Sequence, residues 1–192
     1  WQQAIEDLLS KVDLKDLLRA IDYDALVRKA DFRPVHETVL EIPLAKRERA
    51  SGELGFDSFF YAMKKGVDIV PHGHKNMTTM HMVLSGEAQA LHFDKINEDA
   101  NYILIKPVSD RVARPGDAST ISDEGTNVHW FKTLSDRIFM FNIGVYSIDS
   151  SKSFTGREYI DPLRGDKEAD GVIRARRLTS DEAYKLYGGH KA

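Results

Sequence analysis

The 192-residue chain contains no cysteine. That excludes a disulfide framework, a thiolate nucleophile and a thiolate metal site. It also lacks any apolar run near the roughly 18 residues that a membrane-spanning helix needs, so no membrane partner is expected. Neither sign of charge dominates: 27 Lys and Arg against 30 Asp and Glu leave a formal net charge of −3. Without a basic field to hold a phosphate backbone, nucleic acid is not an expected partner. No internal repeat or low-complexity segment is present. What is there is ordinary, with 42% hydrophobic and 30% charged residues, the balance of a soluble globular protein with one substantial core. The first residue is Trp1 rather than methionine, which leads us to expect that an N-terminal piece is removed. The compartment stays open between the cytoplasm and, if that piece is a secretion signal, the periplasm or exterior.

Three segments are expected. Residues 1–34 read as a helical extension: Ile5, Leu8, Leu9 and Val12 recur at helical spacing, and Asp13 can cap a second short helix carrying Leu14, Leu17, Leu18 and Ile21. Phe32-Arg33-Pro34 breaks that pattern. Residues 35–150 carry short β-branched, aromatic and aliphatic runs at 37–42, 56–63, 78–84, 88–93, 102–107, 128–133 and 138–146. Turn signals at Lys65-Gly66, Ser85-Gly86 and Arg114-Pro115-Gly116-Asp117 separate several of them, which predicts an all-β antiparallel sandwich or barrel. In residues 151–192, the stretch from Gly156 to Gly171 reads as a polar loop. Thr179 and Glu182 then match a capping box opening a short helix closed by Gly188-Gly189.

His72 and His74 are spaced to share one face of a strand, because strand side chains alternate with period two. A third histidine from a later strand, His129, can complete a facial three-nitrogen site for a divalent metal. Taken alone, the histidine pair reads equally as a polar strand edge. The spacing around it then matters. His72-Gly73-His74 is followed by four residues, Thr79, six residues and Gly86, and Pro115-Gly116-Asp117 is followed by His129. Over roughly residues 36–150 these two motifs resemble those of the cupin superfamily. The resemblance implies a double-stranded β-helix, or jelly-roll barrel, with a metal near its mouth. Where the first cupin motif carries a glutamate, this chain has Thr79, so the expected site is three imidazoles with no carboxylate.

A narrower resemblance follows from the run His72 to Thr78, Gly86 and Phe93-Asp94, and from Gly125-Thr126-Asn127-Val128-His129-Trp130-Phe131. Asn142, Gly144, Tyr146-Ser147, Gly156-Arg157, Tyr159 and Pro162 extend it. These positions resemble the cysteamine dioxygenase and plant cysteine oxidase family of thiol dioxygenases. That resemblance implies iron held by three histidines and insertion of both atoms of O2 into a thiol to give a sulfinate. The chain departs from the family near Asn142, where an acidic residue is usual, and at Val145-Tyr146, which replaces a Pro-Pro-Tyr corner. The absence of cysteine excludes the thioether crosslink of some thiol dioxygenases.

Other candidates carry paired readings. His81 lies in register with Thr79 and reads as a base or hydrogen-bond donor near the metal, or as a satisfied core histidine. Tyr146 reads as a donor to substrate or as barrel packing, and Asn142 as a group that orients substrate or water. Lys75 reads as an attractor for a carboxylate at the mouth or as a solvated lysine. Met77, Met80 and Met82 read as barrel packing and rim, with Met80 and Met82 opposite to Thr79 and His81. His92 reads as structural or exposed, and His36 and His190 as surface residues. Arg111 and Arg114 are expected to be structural surface charges, and Asp117 a turn former.

The expectation is therefore a cupin barrel that binds one metal through His72, His74 and His129. Iron(II) is the expected ion, with zinc, nickel, manganese or copper as alternatives. Its expected partners are a small-molecule substrate and O2, with a homodimer as the expected assembly, and His81 and Tyr146 are the catalytic candidates. An enzymatic role, an O2-dependent oxidation of a small thiol or other chelating substrate, is preferred. The alternatives are a non-catalytic binding or sensor cupin, a dioxygenase that cleaves carbon–carbon bonds, and an isomerase.

Overall fold

The computed structural model describes residues 1–43 and 55–189, so His190 lies outside the described residues. Three short helices open the chain, α1 (Gln2–Leu9), α2 (Leu14–Ala20) and α3 (Tyr23–Lys29), one more than the periodicity suggests. The extra break comes at Asp22, whose backbone turns left-handed while its side chain caps α3. As expected, Asp13 caps α2 by accepting from the backbone N–H groups of Lys15 and Asp16.

Among the described residues eleven strands form two antiparallel sheets, one of five strands and one of six. They are β1 (Thr38–Glu41), β2 (Gly55–Lys64), β3 (Ile69–Lys75), β4 (Met77–Ser85), β5 (Ala88–Glu98), β6 (Tyr102–Ala113), β7 (Ala118–Ile121), β8 (Val128–Thr133), β9 (Arg137–Tyr146), β10 (Thr155–Lys167) and β11 (Ile173–Arg177). One sheet runs β1-β2-β9-β4-β7, and the other closes on itself as β10-β11-β6-β5-β8-β3. The protein is an all-β jelly-roll barrel, with helices at its N-terminus and one short helix, α4 (Ser180–Tyr187), near its C-terminus.

Strands β2, β4 and β9 are apolar on both faces because both faces are covered. On the inner side, Tyr61, Met63, Val83, Ile138 and Met140 meet Ile69, Ala90 and Phe131 of the closed sheet. On the outer side, Phe60, Met80, Met82, Phe139 and Phe141 meet Ile5 and Leu26 of the N-terminal helices. Met80 and Met82 therefore point away from Thr79 and His81, as the alternation predicts. They seat the helices and do not line the barrel interior. Gly86 makes the β4–β5 turn: its φ is +84°, and a Cβ there would lie 2.3 Å from the Arg137 carbonyl oxygen.

The loop reading of Gly156–Gly171 is corrected. Residues 155–167 are β10, which pairs with β3 on one side and β11 on the other and closes the barrel. Its sequence hides this because it lacks an apolar alternation. Ile160 is its one fully buried aliphatic residue, and a register shift between Asp161 and Asp166 interrupts the ladder. The ordered partners β3 and β11 supply the hydrogen bonds that the side-chain pattern does not announce. Past β11, α4 begins at the expected capping box, with Thr179 and the Glu182 side chain satisfying each other's backbone N–H groups.

Buried Asp68 ties the start of β3 to the end of β8. Its carboxylate accepts from the Thr133 backbone N–H at 3.0 Å and from Trp130 Nε1 at 3.3 Å. Asp68→Ala would leave both buried donors short of an acceptor. Equilibrium denaturation is expected to show a loss of about 3 kcal/mol, and a loss under about 1 kcal/mol would show that the tie is dispensable.

Candidate metal centre

Strand pairing brings the histidines together. In β3, His72 and His74 project to the same side, and the β3–β8 register places His129 directly opposite His72. Ring centroids lie 4.1 Å apart for His72 and His129, 4.7 Å for His72 and His74, and 5.4 Å for His74 and His129. One nitrogen from each ring falls within 4.8 Å of the others, so the three form a group able to hold a metal ion.

The protonation state suits that role. Burial is the largest cause holding the pKa of His72 and His129 well below the ordinary imidazole value, and it pushes His74 down to about 3. Nearby Arg157 depresses His72 and His74 further. All three are neutral at pH 7 and carry free lone pairs. His72 Nδ1 lies 2.7 Å from the Val70 carbonyl oxygen, a bond that fixes the Nδ1–H tautomer and leaves Nε2 as the ligand atom. His129 is 0% exposed, and neither of its ring nitrogens has a hydrogen-bond partner. His74 Nδ1 is likewise buried and unpartnered. Such groups are costly to bury unless something accepts their lone pairs, and a divalent cation fits that requirement.

His72 and His74 line a cavity of about 180 Å³. Tyr61, Thr79, His81, Asn142, Tyr146 and Arg157 give it a polar wall, and Met77 and Phe154 an apolar one. A larger cavity, about 830 Å³, lies under α1 and shares only Met77 with this wall. It contains none of the histidines, so the smaller cavity is the one that matters for metal chemistry.

Thr79 does not offer itself as a ligand. Its hydroxyl donates to the Ile143 carbonyl at 2.9 Å and accepts from Asn142 Nδ2 at 2.7 Å. Asn142 Nδ2 also lies 2.8 Å from the Met80 carbonyl and 3.2 Å from His81 Nε2. Asn142 thus locks the wall of the cavity. His81 is buried and lines the cavity, with its ring centroid 5.2 Å from that of His129, yet it stands outside the three-histidine group. Tyr146 folds back over Gly144, where a Cβ would sit 2.4 Å from its hydroxyl oxygen, so only glycine permits this pose. Its ring rests edge-on against Phe154 at 5.2 Å.

Other candidates lie elsewhere. Lys75 pairs with Glu98 at 3.0 Å and Glu158 at 3.4 Å on the outside, away from the cavity. His92, buried in β5, pairs in register with His129 and has its pKa pushed down to about 4, chiefly by burial. His36 is exposed but packs its ring 3.9 Å from that of Tyr184. Arg111 bonds the Ala118 carbonyl, Arg114 pairs with Glu87, and Asp117 accepts from the Arg114 backbone N–H, which are structural and turn-forming contacts.

Sequence reasoning passed over Tyr61 and Glu37 and met Arg157 only as a family match. Tyr61 sits inside an aromatic run that signals core. Glu37 opens the first expected strand run, and it is buried against Arg157. No local pattern marks a carboxylate whose partner is 120 residues away.

The fold and the histidine group define a jelly-roll barrel with a candidate metal centre. No family model and no curated protein sequence matches the chain. Solved structures resemble it in part. Procruciferin, an 11S globulin from Brassica napus, is 14% identical with a TM-score of 0.39, over 48% of this chain and 21% of that one. The chain thus spans about a fifth of that globulin's length. Recombinant oxalate oxidase in complex with glycolate is 18% identical with a TM-score of 0.45, over 66% of this chain and 56% of that one. A cupin superfamily protein from Desulfitobacterium hafniense DCB-2 is 16% identical with a TM-score of 0.37, over 57% of this chain and 78% of that one. Among the described residues no helix is long and apolar enough to cross a membrane.

Proposed function

We propose that this protein is a mononuclear non-haem iron(II) dioxygenase that converts a small thiol to its sulfinate with O2. The observation that carries the reading is the buried group of three neutral imidazoles, without a carboxylate, two of which, His72 and His74, line a cavity of only about 180 Å³. His72, His74 and His129 would hold the ion. Iron(II) supplies the one-electron chemistry that lets O2 react with a thiol. The overall change balances without a further co-substrate: the thiol sulfur loses four electrons, O2 gains four, and both oxygen atoms end on sulfur as the S–H proton passes to the sulfinic acid.

The chain's own residues supply position and seclusion. With no anionic ligand in the histidine set, the ion's full charge is available to favour a thiolate over a thiol. The Asn142 bonds to Thr79 and His81 keep the cavity wall in place, so the reacting groups meet in a fixed geometry. His81, neutral because burial and the nearby histidines oppose its protonation, can accept a proton or hydrogen bond inside the cavity. Tyr61 and Tyr146 bring hydroxyl groups to the same space, and Met77 with Phe154 narrows it against bulk water. A cavity this small favours a compact thiol over a ring substrate.

The test is O2 uptake by the iron(II)-loaded protein with cysteine, cysteamine, 3-mercaptopropionate and a peptide beginning with cysteine. One of these should give sulfinate at one O2 per product, and His74→Ala should reduce uptake to background. If metal binds but no thiol draws oxygen, the thiol reading fails and a metal-dependent binding cupin takes its place.

A further inference from the structure

The charge in the cavity is set by a pair that no histidine belongs to. Arg157, in β10, lines the cavity with its side chain 20% exposed, whereas Glu37, just before β1, lies behind it at 3%. The guanidinium Nη1 bonds Glu37 Oε1 and donates to the Tyr184 hydroxyl at 2.7 Å. Tyr184, on α4, in turn reaches both Glu37 oxygens at 3.0 and 3.1 Å. A ligand entering the cavity therefore meets the guanidinium first, with the carboxylate that cancels it one layer deeper. The positive charge is close enough to act there, since Arg157 lines the same small cavity as His72, His74 and His81.

We propose that Glu37 is a specificity-determining residue: by cancelling the charge of Arg157 it denies a carboxylate-bearing ligand an ion pair, so the cavity prefers ligands with uncharged or cationic head groups. The inference rests on reading the three-histidine cavity as the ligand site. A pair placed only to pin the N-terminal segment would have no need to turn its cation towards the cavity. Because Glu37 is already paired at contact distance, a second carboxylate would gain attraction to Arg157 but meet repulsion from Glu37 a few ångströms further on, and in this half-dry space the two nearly offset.

Two ligands of equal shape read the effect, 3-mercaptopropionate and its uncharged analogue 3-mercaptopropionamide. Their dissociation constants are measured by calorimetry on the full-length protein, loaded with redox-inert zinc and also metal-free. Glu37→Gln keeps the shape of the side chain and removes its charge, and it should tighten the acid by about tenfold relative to the amide. In the doubly neutral Glu37→Gln/Arg157→Met protein the acid-to-amide ratio should return to within threefold of wild type. An unchanged ratio in Glu37→Gln overturns the proposal. Should that variant fail to fold, a tenfold loss of acid binding in the doubly neutral protein relative to wild type overturns it equally, because Arg157 would then already serve anions. Neither readout uses O2, so a failure of the thiol oxidation assay leaves this result standing or falling alone, and a failure to bind zinc is a failure of the metal reading that the metal-free arm separates.

Discussion

His129→Ala is expected to abolish tight metal binding. The side chain is one of three candidate ligands, and even the outer hydrogen-bond partners of metal-ligating histidines are worth roughly 10–100-fold in affinity, so loss of a ligand should cost more than about 100-fold. The consequence for stability is conditional on the metal. A cation present at a thousand times its dissociation constant stabilises the folded state by about 4 kcal/mol, or roughly 10 °C in a chain of this size. Wild type should gain that shift with iron(II) or zinc and lose it to a chelator. The variant should show neither. Without metal the two proteins should differ far less, because alanine removes two buried nitrogens that have no partner while opening a cavity, and these effects oppose each other. A variant that still melts higher in the presence of metal would place the centre elsewhere. The comparison separates a ligand from a merely buried histidine, since only a ligand makes the mutational effect depend on the ion.

The second large effect concerns acid. Burial pushes the pKa of His74 down to about 3 and that of His92 down to about 4 from an ordinary value of 6.5, and it lowers those of His72, His81 and His129 as well. Above pH 6.5 these imidazoles are neutral in both the folded and the unfolded chain, and folding has its full stability. As pH falls below 6.5 the unfolded chain takes up protons that the folded barrel refuses, so the unfolded state is favoured increasingly until the folded groups titrate. Each pH unit in that window is worth about 1.4 kcal/mol per histidine, so at pH 5 His74 and His92 cost about 2 kcal/mol apiece. Denaturant titrations of the metal-free protein should therefore lose at least about 4 kcal/mol between pH 7.5 and pH 5, with His72, His81 and His129 adding to the loss. A flat profile over that range would mean that the imidazoles are solvated or already charged. Bound metal should delay the loss, because protons and cation compete for the same lone pairs.

The barrel and its site were open to sequence reasoning to different depths. His72 and His74 were readable because their relation is local: two residues apart on a strand means one face, whatever the strand packs against. Asp13, the Thr179–Glu182 box and the turn at Gly86 were readable for the same reason, since caps and turns are satisfied within a few residues. The outward facing of Met80 and Met82 followed from the same alternation, but not what they touch. Strand β10 was missed because its one buried aliphatic residue and its bulge leave no period to detect.

By itself, the sequence determined a metal-capable strand face, the absence of any cysteine thiol of its own and the local caps and turns. Resemblance of spacing extended this to an all-β barrel and to His129. Tertiary structure alone decided the rest: that β8 lies beside β3 so that His129 faces His72, that Thr79 spends its hydroxyl on Ile143 and Asn142, and that Glu37 reaches Arg157 from 120 residues away. The physical reason is range. Alternation, capping and turn conformation are settled by neighbours along the chain, whereas the burial that keeps the histidines neutral and the pairing that sets the cavity's charge exist only once distant strands have closed the barrel.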